Sequence, residues 1–562
     1  MSMFCFQCQE TLRNEGCTQH GMCGKSSDCA NLMDVLIYSL RGLALATQIA
    51  EIPINSTLAS HAEQVLFTTL TNTNFDELRI ERLIRQTLRL RDGIILEHSA
   101  KFTEHNDDIL FFNAATRNEF LAKSPFVSVQ RVTDPDIRTM RELLLYALKG
   151  ISAYTHHARR LGFTNPNIST FIFHALAETA PMQGYAPSTL FFLLKECGKT
   201  ALSAMKLLND ANTQHFGHPE PTEVRNYVRK RPGILISGHD LRDLEDLLRQ
   251  TQDAGIDIYT HGEMLPAHAY PGLKKYPHLY ANYGNSWHHQ SREFELFNGP
   301  IILTSNCLIP IRAPYKNRIF TTGPCGWPGL RHIPEPSTTT GQKDFREVIR
   351  LAQQLPAPTP ITETLDGTPE PKMLTIGYAE KELLALLPDI VAGIRSGEIG
   401  QIIVMNGCDG RHHARSYYRT LADQLPKDTI ILTAGCAKYR FNKLALGQIE
   451  HVPRLLDAGQ CNDTWSIITF LHVLGDAMNV ESLAELPVTL EVAWYEQKAV
   501  AVLLALLSLK IKNIHLGPTL PAFCSQNAIK YLIENYNLQK MGNIEERIAE
   551  MHTPSQGKEE LV

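Results

Sequence analysis

The sequence of 562 residues lacks several features that would point to a membrane, a nucleic acid or secretion. Its longest apolar run, residues 499–507, is far shorter than the ~20 residues that a bilayer span needs. No run of five like charges occurs, and the formal net charge is only -5. The overall charge therefore gives no electrostatic attraction to nucleic acid or anionic membrane. The start MSMFCFQCQE lacks the basic and apolar stretches of a secretory signal. We therefore expect a cytoplasmic protein.

Common catalytic signatures are also missing. We find no P-loop, no dinucleotide-binding Gly-x-Gly-x-x-Gly and no Ser-His-Asp arrangement. The 12 cysteines are too few for a disulfide scaffold in a chain of this length. Five of them nevertheless fall within the first 29 residues, and this clustering indicates metal binding.

The spacing of apolar residues predicts helices over the first 220 residues. Apolar residues recur at intervals of three and four in 31–52, 75–92, 139–161 and 188–212. Asp136 is a candidate cap for the third of these helices, after the Asp134-Pro135 break. Because no β-branched run interrupts this region, we predict an all-α helical bundle over residues 1–220.

Short apolar runs ending in Gly or Asn follow, and a helical stretch at 241–254 separates the first two. The predicted strands are 233–238, 256–261, 299–306, 373–378, 400–407, 429–435, 489–496 and 513–517. Strand, helix and strand in close succession predict parallel pairing. With a Pro-rich connection at 355–372, we predict a multidomain α+β fold with one α/β domain at 221–372 and another at 373–562. The polar tail 553–562 is expected to be loose.

The N-terminal cysteines have the spacing C-x2-C-x8-C-x5-C, formed by Cys5, Cys8, Cys17 and Cys23. Four thiolates suit a tetrahedral zinc or an iron–sulfur cluster, because both prefer soft ligands. Structural zinc usually pairs two C-x2–4-C knuckles, and only one is present, so the spacing favours iron–sulfur over zinc or free thiols. Cys29 remains a fifth candidate.

A second set of potential ligands lies at the ends of the predicted strands or just after them. Its members are His239, Glu263, Cys307, Cys408, Cys436 and Glu496. Since the carboxyl ends of parallel strands converge on one crevice, we expect these side chains to form one metal centre between the two α/β domains. Each also has a simpler interpretation. A single Cys is often a small buried hydrophobe, His239 or Asp240 could cap a helix, and Glu496 could pair with Lys498.

Eight separated blocks resemble the hybrid cluster proteins, also called prismane proteins or hydroxylamine reductases. They are MFCFQCQET at 3–11, GMCGK at 21–25, SGHDL at 237–241, HGEMLPAHAYP at 261–271, NCLIP at 306–310, CDGRH at 408–412, AGCAKYRFN at 434–442 and WYEQKAV at 494–500. The resemblance covers nearly the whole chain. It implies a helical domain followed by two Rossmann-like α/β domains, with Asn406 departing from the glycine expected at that position.

The resemblance also implies two metal centres. A [4Fe–4S] cubane would be held by Cys5, Cys8, Cys17 and Cys23, which leaves Cys29 as an extra. A hybrid [4Fe–2O–2S] cluster would be held by His239, Glu263, Cys307, Cys408, Cys436, Cys461 and Glu496. Cys408 stands where the family carries a persulfide, and Lys498 would share a face with Glu496 on an extended segment.

The activity implied is the two-electron reduction of hydroxylamine to ammonia and water. His239, Glu263, Glu496 and Lys498 are then the candidate catalytic residues, and electrons would come from a separate NADH oxidoreductase carrying flavin or Fe–S. Nitric oxide reduction or NO-dependent S-nitrosylation at the same cluster is the alternative. A nickel enzyme like carbon monoxide dehydrogenase and a non-enzymatic sensor or electron carrier are further hypotheses.

Overall fold

A computed structural model describes residues 2–181, 184–338, 341–363, 367 and 369–552, and its N-terminal region is helical as far as Phe216. The predicted tail 553–562 and part of the Pro-rich connection lie outside these residues. The helices of this region are α1 (Ser27–Ala50), α2 (Ser56–Thr68), α3 (Glu77–Glu97), α4 (Asp108–Phe111), α5 (Arg117–Val127), α6 (Pro135–Arg160), α7 (Pro166–Glu178) and α8 (Pro187–Phe216).

Two helix starts show how the sequence sets these limits. The side chain of Asp134 accepts hydrogen bonds from the backbone N–H groups of Asp136 and Ile137, with Pro135 at the first helical position of α6. The prediction that Asp136 caps this helix is therefore wrong by two residues. Helix α1 is long and apolar enough to cross a membrane, but 89% of its most apolar window is buried in the protein, as in a core helix.

The first α/β region contains a six-stranded sheet in the order β4-β3-β2-β5-β6-β7, with every neighbouring pair parallel. Both faces of β2 and β3 are buried, which explains their nearly continuous apolar sequences. The elements, after the short strand β1 (Thr222–Arg225), are β2 (Gly233–Ser237), α9 (Leu241–Thr251), β3 (Asp257–His261), α10 (Pro271–Lys274), β4 (Leu279–Asn282), α11 (Gln290–Leu296), β5 (Ile301–Leu303), α12 (Ala313–Lys316), β6 (Ile319–Thr321), β7 (Arg331–His332) and α13 (Arg346–Gln354).

The second sheet has six parallel strands in the order β13-β10-β9-β14-β15-β16. The elements of this region are β8 (Met373–Ile376), α14 (Glu380–Ser396), β9 (Gln401–Gly407), α15 (Ser416–Gln424), β10 (Thr429–Ala434), β11 (Gln448–Ile449), β12 (Val452–Pro453), β13 (Leu455–Gly459), α16 (Thr464–Met478), β14 (Val488–Ala493), α17 (Gln497–Ser508), β15 (Ile514–Gly517), α18 (Gln526–Tyr536), β16 (Gln539–Lys540) and α19 (Ile544–His552).

This arrangement confirms the predicted fold class of a helical region and two parallel α/β regions, and it corrects one strand. Strand β8, predicted to belong to the third domain's sheet, pairs with β1 in a separate antiparallel ribbon. It thereby links the start of the first α/β region to the start of the second. The domain limits at 220 and 372 stay predictions.

Helix α17 joins the second α/β region to the helical one, because it packs against both α6 and α8. Two glycines make this contact close. A Cβ at Gly150 of α6 would lie 2.8 Å from the backbone oxygen of Gln497, and one at Gly198 of α8 would lie 2.3 Å from that of Leu504. The helical region therefore buries the helix whose first turn carries Lys498.

Candidate metal centres

The N-terminal cysteines lie in a tight loop ahead of α1. Cys5 and Cys17 face each other across an antiparallel bridge, with N–H···O distances of 3.0 and 2.8 Å. Gly21 lets the loop close, because a Cβ there would lie only 2.9 Å from the sulfur of Cys23. Burial raises the pKa of the Cys5 thiol to about 12, and the nearby sulfurs of Cys23 and Cys17 add to the shift.

Burial also raises the pKa of Cys8 well above its usual value, with added repulsion from Cys23, Cys5 and Glu10. A group of buried and half-buried thiols whose thiolates would repel one another fits a bound metal, since metal cations stabilise thiolates that burial disfavours. Cys29 is placed differently. It lies in the first turn of α1, and its thiol donates to the backbone oxygen of Asn74 at 3.8 Å. Cys29 thus has a hydrogen-bond partner outside the cysteine loop, although Cys23 still adds to the raised pKa of its buried thiol.

The second set of predicted ligands lies where the carboxyl ends of the two sheets face each other. His239 follows β2, Glu263 follows β3, Cys307 follows β5, Cys408 follows β9, Cys436 follows β10, Cys461 follows β13 and Glu496 follows β14. Cys461 therefore obeys the same strand-end rule as the others. The strand-end pattern does not reveal Cys461 in the sequence, because strand β13 is not recognisable there as a strand.

Three of these residues come closest together. The ligand atoms of His239, Glu263 and Cys461 all lie within 4.8 Å of one another. The backbone N–H of Cys461 donates to Glu263 Oε2 at 3.1 Å, whereas Glu263 Oε1 is buried without a hydrogen-bond partner. An orphaned buried carboxylate oxygen is costly unless a further group binds it, so this atom fits a metal ligand.

Neighbouring side chains hold these segments in place. The amide of Gln460 donates to the backbone oxygens of both Glu263 and His239, at 2.7 and 3.2 Å. The hydroxyl of Ser305 lies 2.8 Å from His239 Nδ1 and orients the imidazole so that Nε2 faces Glu263. Cys307 has a φ of 81°, which is unusual for a residue with a side chain and marks local strain at the site.

Lys498 contributes the ammonium group that faces this cluster. Its Nζ donates to His239 Nε2 at 2.8 Å and to Asn306 Oδ1 at 3.0 Å, and it lies 3.6 Å from Glu496 Oε1. The predicted extended segment is wrong here. Glu496 is the N-cap of α17 and accepts from the backbone N–H of Lys498, which lies inside the helix. The two side chains meet through the cap geometry.

The electrostatics of the second cluster resemble those of the first. Burial raises the pKa of Cys408 to about 12 and that of Cys461 to about 11, with Glu496 adding to both. Burial likewise raises the pKa of Glu263 to about 7. Burial would lower the pKa of Lys498, but the charges of Cys461 and Glu496 outweigh it and raise that pKa.

Within the described residues, burial raises the pKa of four thiols and two carboxyl groups of this cluster, and the nearby cations Lys498, Lys438 and Arg415 offset the shift only in part. Those raised values belong to Cys307, Cys408, Cys436, Cys461, Glu263 and Glu496. Metal cations would supply the missing positive charge, and the mixture of soft sulfur with harder oxygen and nitrogen ligands suits irons bridged by both sulfide and oxygen.

Two residues near this cluster were not found from the sequence. Tyr154 of α6 is fully buried, and its hydroxyl lies near the sulfur of Cys461, whose raised pKa it partly offsets. Arg415 is also fully buried and donates to the backbone oxygen of Cys408 at 2.9 Å. Neither lies beside a strand end, so no local pattern marks them. The unexpected Asn406 donates to Thr464 Oγ1 at 2.8 Å.

Two facing parallel sheets and two thiol-rich clusters are typical of a metalloprotein of the iron–sulfur class. The chain belongs to the Prismane/CO dehydrogenase family, whose profile matches residues 3–549. This membership confirms the resemblance read from the sequence motifs, and it implies iron–sulfur clusters.

Several proteins of known name align with almost the full length of this chain. Proteins named hydroxylamine reductase match from Halothermothrix orenii (44% identical, 98% of this chain and 99% of that one), Chlorobaculum tepidum (46%, 98% and 99%) and Methanocaldococcus jannaschii (46%, 97% and 99%). Among solved structures, carbon monoxide dehydrogenase IV from Carboxydothermus hydrogenoformans has a TM-score of 0.55 at 16% identity, covering 97% of this chain and 92% of that one. This last likeness shows a shared fold.

Proposed function

We propose that this protein is a hydroxylamine reductase, which converts NH2OH, two electrons and two protons into NH3 and water. The observation that carries the proposal is the set of relatives with that name, which are 44–47% identical over at least 97% of the chain. The donor set in the crevice between the sheets supports it, because redox chemistry at iron needs no nucleophile or nucleotide site.

Two iron–sulfur centres fit the side chains. Cys5, Cys8, Cys17 and Cys23 would hold a [4Fe–4S] cubane. The hybrid [4Fe–2O–2S] cluster would be held by His239, Glu263, Cys307, Cys408, Cys436, Cys461 and Glu496. When bound, the second cluster supplies a Lewis-acidic iron and electrons for breaking the N–O bond.

The protein's own part of the reaction is to position and supply protons. Lys498 is the best-placed donor, because its ammonium already donates a hydrogen bond to His239 and faces Glu496. The hydrogen bond from Asn306 Nδ2 to Glu496 Oε1, at 3.2 Å, fixes the carboxylate beside that ammonium. His239, Glu263 and Glu496 complete the set of groups around the substrate position, and burial excludes bulk water from them.

The electrons must come from outside this chain. We propose a separate NADH oxidoreductase with flavin or Fe–S as the donor, and the cytoplasm as the place where the two meet. The net charge and the absence of like-charge runs agree with a partner that is neither nucleic acid nor membrane.

The test is anaerobic purification followed by metal analysis, EPR and a hydroxylamine assay with reduced viologen as the donor. We expect about eight irons per chain, two separable paramagnetic species and one ammonia released per two electrons. A much higher kcat/KM for NO than for hydroxylamine would replace this proposal with NO reduction. Stoichiometric nickel, or about four irons with no turnover, would overturn it.

A further inference from the structure

The residues on either side of Cys8 reach the segment that carries Glu496. The backbone N–H of Gln9 donates to the backbone oxygen of Tyr495 at 3.0 Å. On the other side, the amide of Gln497 donates to the backbone oxygen of Gln7 at 2.8 Å. Cys8 is therefore held between two glutamines that each bind a neighbour of Glu496.

Arg415 makes a second and more direct link. Its guanidinium donates to the backbone oxygen of Cys408 at 2.9 Å and to Gln9 Oε1 at 2.9 Å, and it also donates to the backbone oxygen of Trp494 at 2.7 Å. One planar group thus contacts the segments of Cys8, Cys408 and Glu496 at once. The side chain is fully buried, and Gly410 leaves it room, because a Cβ there would lie 2.8 Å from Arg415 Nε.

The acceptors of these hydrogen bonds are neutral oxygens. Such hydrogen bonds offset only part of the free-energy cost of burying a charged guanidinium. A buried cation between two groups of anionic ligands is stabilised when those groups carry negative charge. The same electrostatic attraction means that the cation would stabilise a neighbouring cluster after that cluster has gained an electron. Arg415 therefore has both the geometry of a bridge and the charge to favour reduced centres.

We propose that Arg415 is the positioning residue that couples the two metal centres, by fixing the Cys8 loop against the Cys408 loop and placing a positive charge between them. With both clusters bound, each electron lost by the N-terminal cluster would be gained by the second cluster. Two such transfers, replenished by the external donor, would supply the electrons that hydroxylamine consumes. This inference rests on the proposed function for its biological meaning, but its test does not require turnover.

The test compares wild type with Arg415→Gln, Arg415→Lys and the control Arg454→Gln. Arg454 is another buried arginine that donates to backbone oxygens, those of Thr429 and Leu446, at the end of β13 remote from Cys461. Iron content and EPR spectra are recorded first. The reduction potential of the N-terminal cluster then follows from an EPR-monitored titration. Electron exchange between the centres is followed after flash photoreduction with less than one electron per chain.

We expect Arg415→Gln to keep its iron, to lower the potential of the N-terminal cluster and to slow exchange at least tenfold. Arg415→Lys should restore the potential, because it keeps the charge. Its exchange should stay slow, because one ammonium cannot span both loops. Arg454→Gln should match wild type in both measurements.

Exchange within twofold of wild type in Arg415→Gln, or equal slowing in Arg454→Gln, would overturn the inference. If Arg415→Gln fails to load iron, Gln9→Leu breaks the same link while keeping the charge, and unslowed exchange there overturns it equally. Loss of hydroxylamine turnover in wild type would refute only the proposed function, because the potential and the exchange rate are measured without substrate.

Discussion

The ammonium nitrogen of Lys498 lies 2.8 Å from Nε2 of His239, although the two residues are 259 positions apart in the chain. The contact forms because α17 starts immediately after Glu496 and is packed under α6, while His239 emerges from the carboxyl end of β2. A proton on Lys498 is therefore held between an imidazole and a carboxylate in a buried site.

Replacing this proton donor should reduce catalysis without removing the clusters. For Lys498→Gln we expect kcat for hydroxylamine to fall on the order of 100-fold, as general-acid catalysis is lost, while KM and iron content change little. The measurement is anaerobic steady-state kinetics with reduced viologen, alongside iron analysis. A kcat within threefold of wild type, with full iron content, would remove Lys498 from the mechanism.

The N-terminal cysteines can be distinguished by their contacts. Cys5→Ser should remove about four irons per chain and one EPR species, since it deletes a ligand of the proposed cubane. Cys29→Ser is the matched control, because the Cys29 thiol, in the first turn of α1, is hydrogen-bonded to the backbone oxygen of Asn74, and its replacement should leave the iron content unchanged. Iron loss in Cys29→Ser, or full iron in Cys5→Ser, would show that the four-cysteine assignment is wrong.

Much of the candidate site could be predicted from the sequence, because the local pattern of apolar residues shows where the buried strands end. Buried parallel strands such as β2 and β9 have continuous apolar sequences, so the candidate ligand that follows each strand can be recognised from the sequence. Strand β13 was missed because its sequence LLDAG contains Asp457, whose charge is tolerated only because Lys438 binds it inside the protein. That pairing cannot be read from the local pattern.

Other features depend on tertiary contacts alone. Nothing in the MLTI segment of β8 indicates that its partner is β1 instead of the second sheet. Tyr154 and Arg415 lie within helical or turn segments, and only the packing of distant regions brings them to Cys461 and to Cys408. The ends of apolar runs therefore located most of the candidate ligands, whereas the residues that contact them could be found only from the fold.

The close packing of α17 gives a stability prediction. A Cβ at Gly150 would lie 2.9 Å from the backbone Cα of Lys498, so Gly150→Ala must displace the helix that carries the proton donor. We expect a loss of about 1–3 kcal/mol in the free energy of unfolding, typical of overpacking, together with a lower kcat. The measurements are chemical denaturation and steady-state kinetics.

Gly93 provides the control for this substitution. It lies in α3, and a Cβ there would meet nothing within 4 Å. Gly93→Ala should raise the free energy of unfolding by roughly 0.5–1 kcal/mol, because alanine loses less conformational entropy in a helix. A neutral Gly150→Ala would mean that α6 and α17 can separate without cost.

His61 provides a pH dependence that does not involve the candidate metal ligands. It lies in α2, its Nε2 is 2.8 Å from Thr87 Oγ1, and its Nδ1 is buried without a partner. Burial lowers the pKa of this histidine from 6.5 to about 4. The imidazole is therefore neutral in the folded protein at pH values where the unfolded chain already binds a proton.

Because the folded pKa lies below the unfolded one, the stabilising contribution is complete above pH 6.5 and is lost as the pH falls toward 4. Between pH 8 and pH 5, His61 should reduce the free energy of unfolding by about 2 kcal/mol. His61→Gln removes this titration, so its stability should fall less than that of wild type over the same range. Guanidinium denaturation of both proteins at the two pH values measures the difference. An equal loss of free energy of unfolding in the two proteins would show that folding does not lower the pKa of His61.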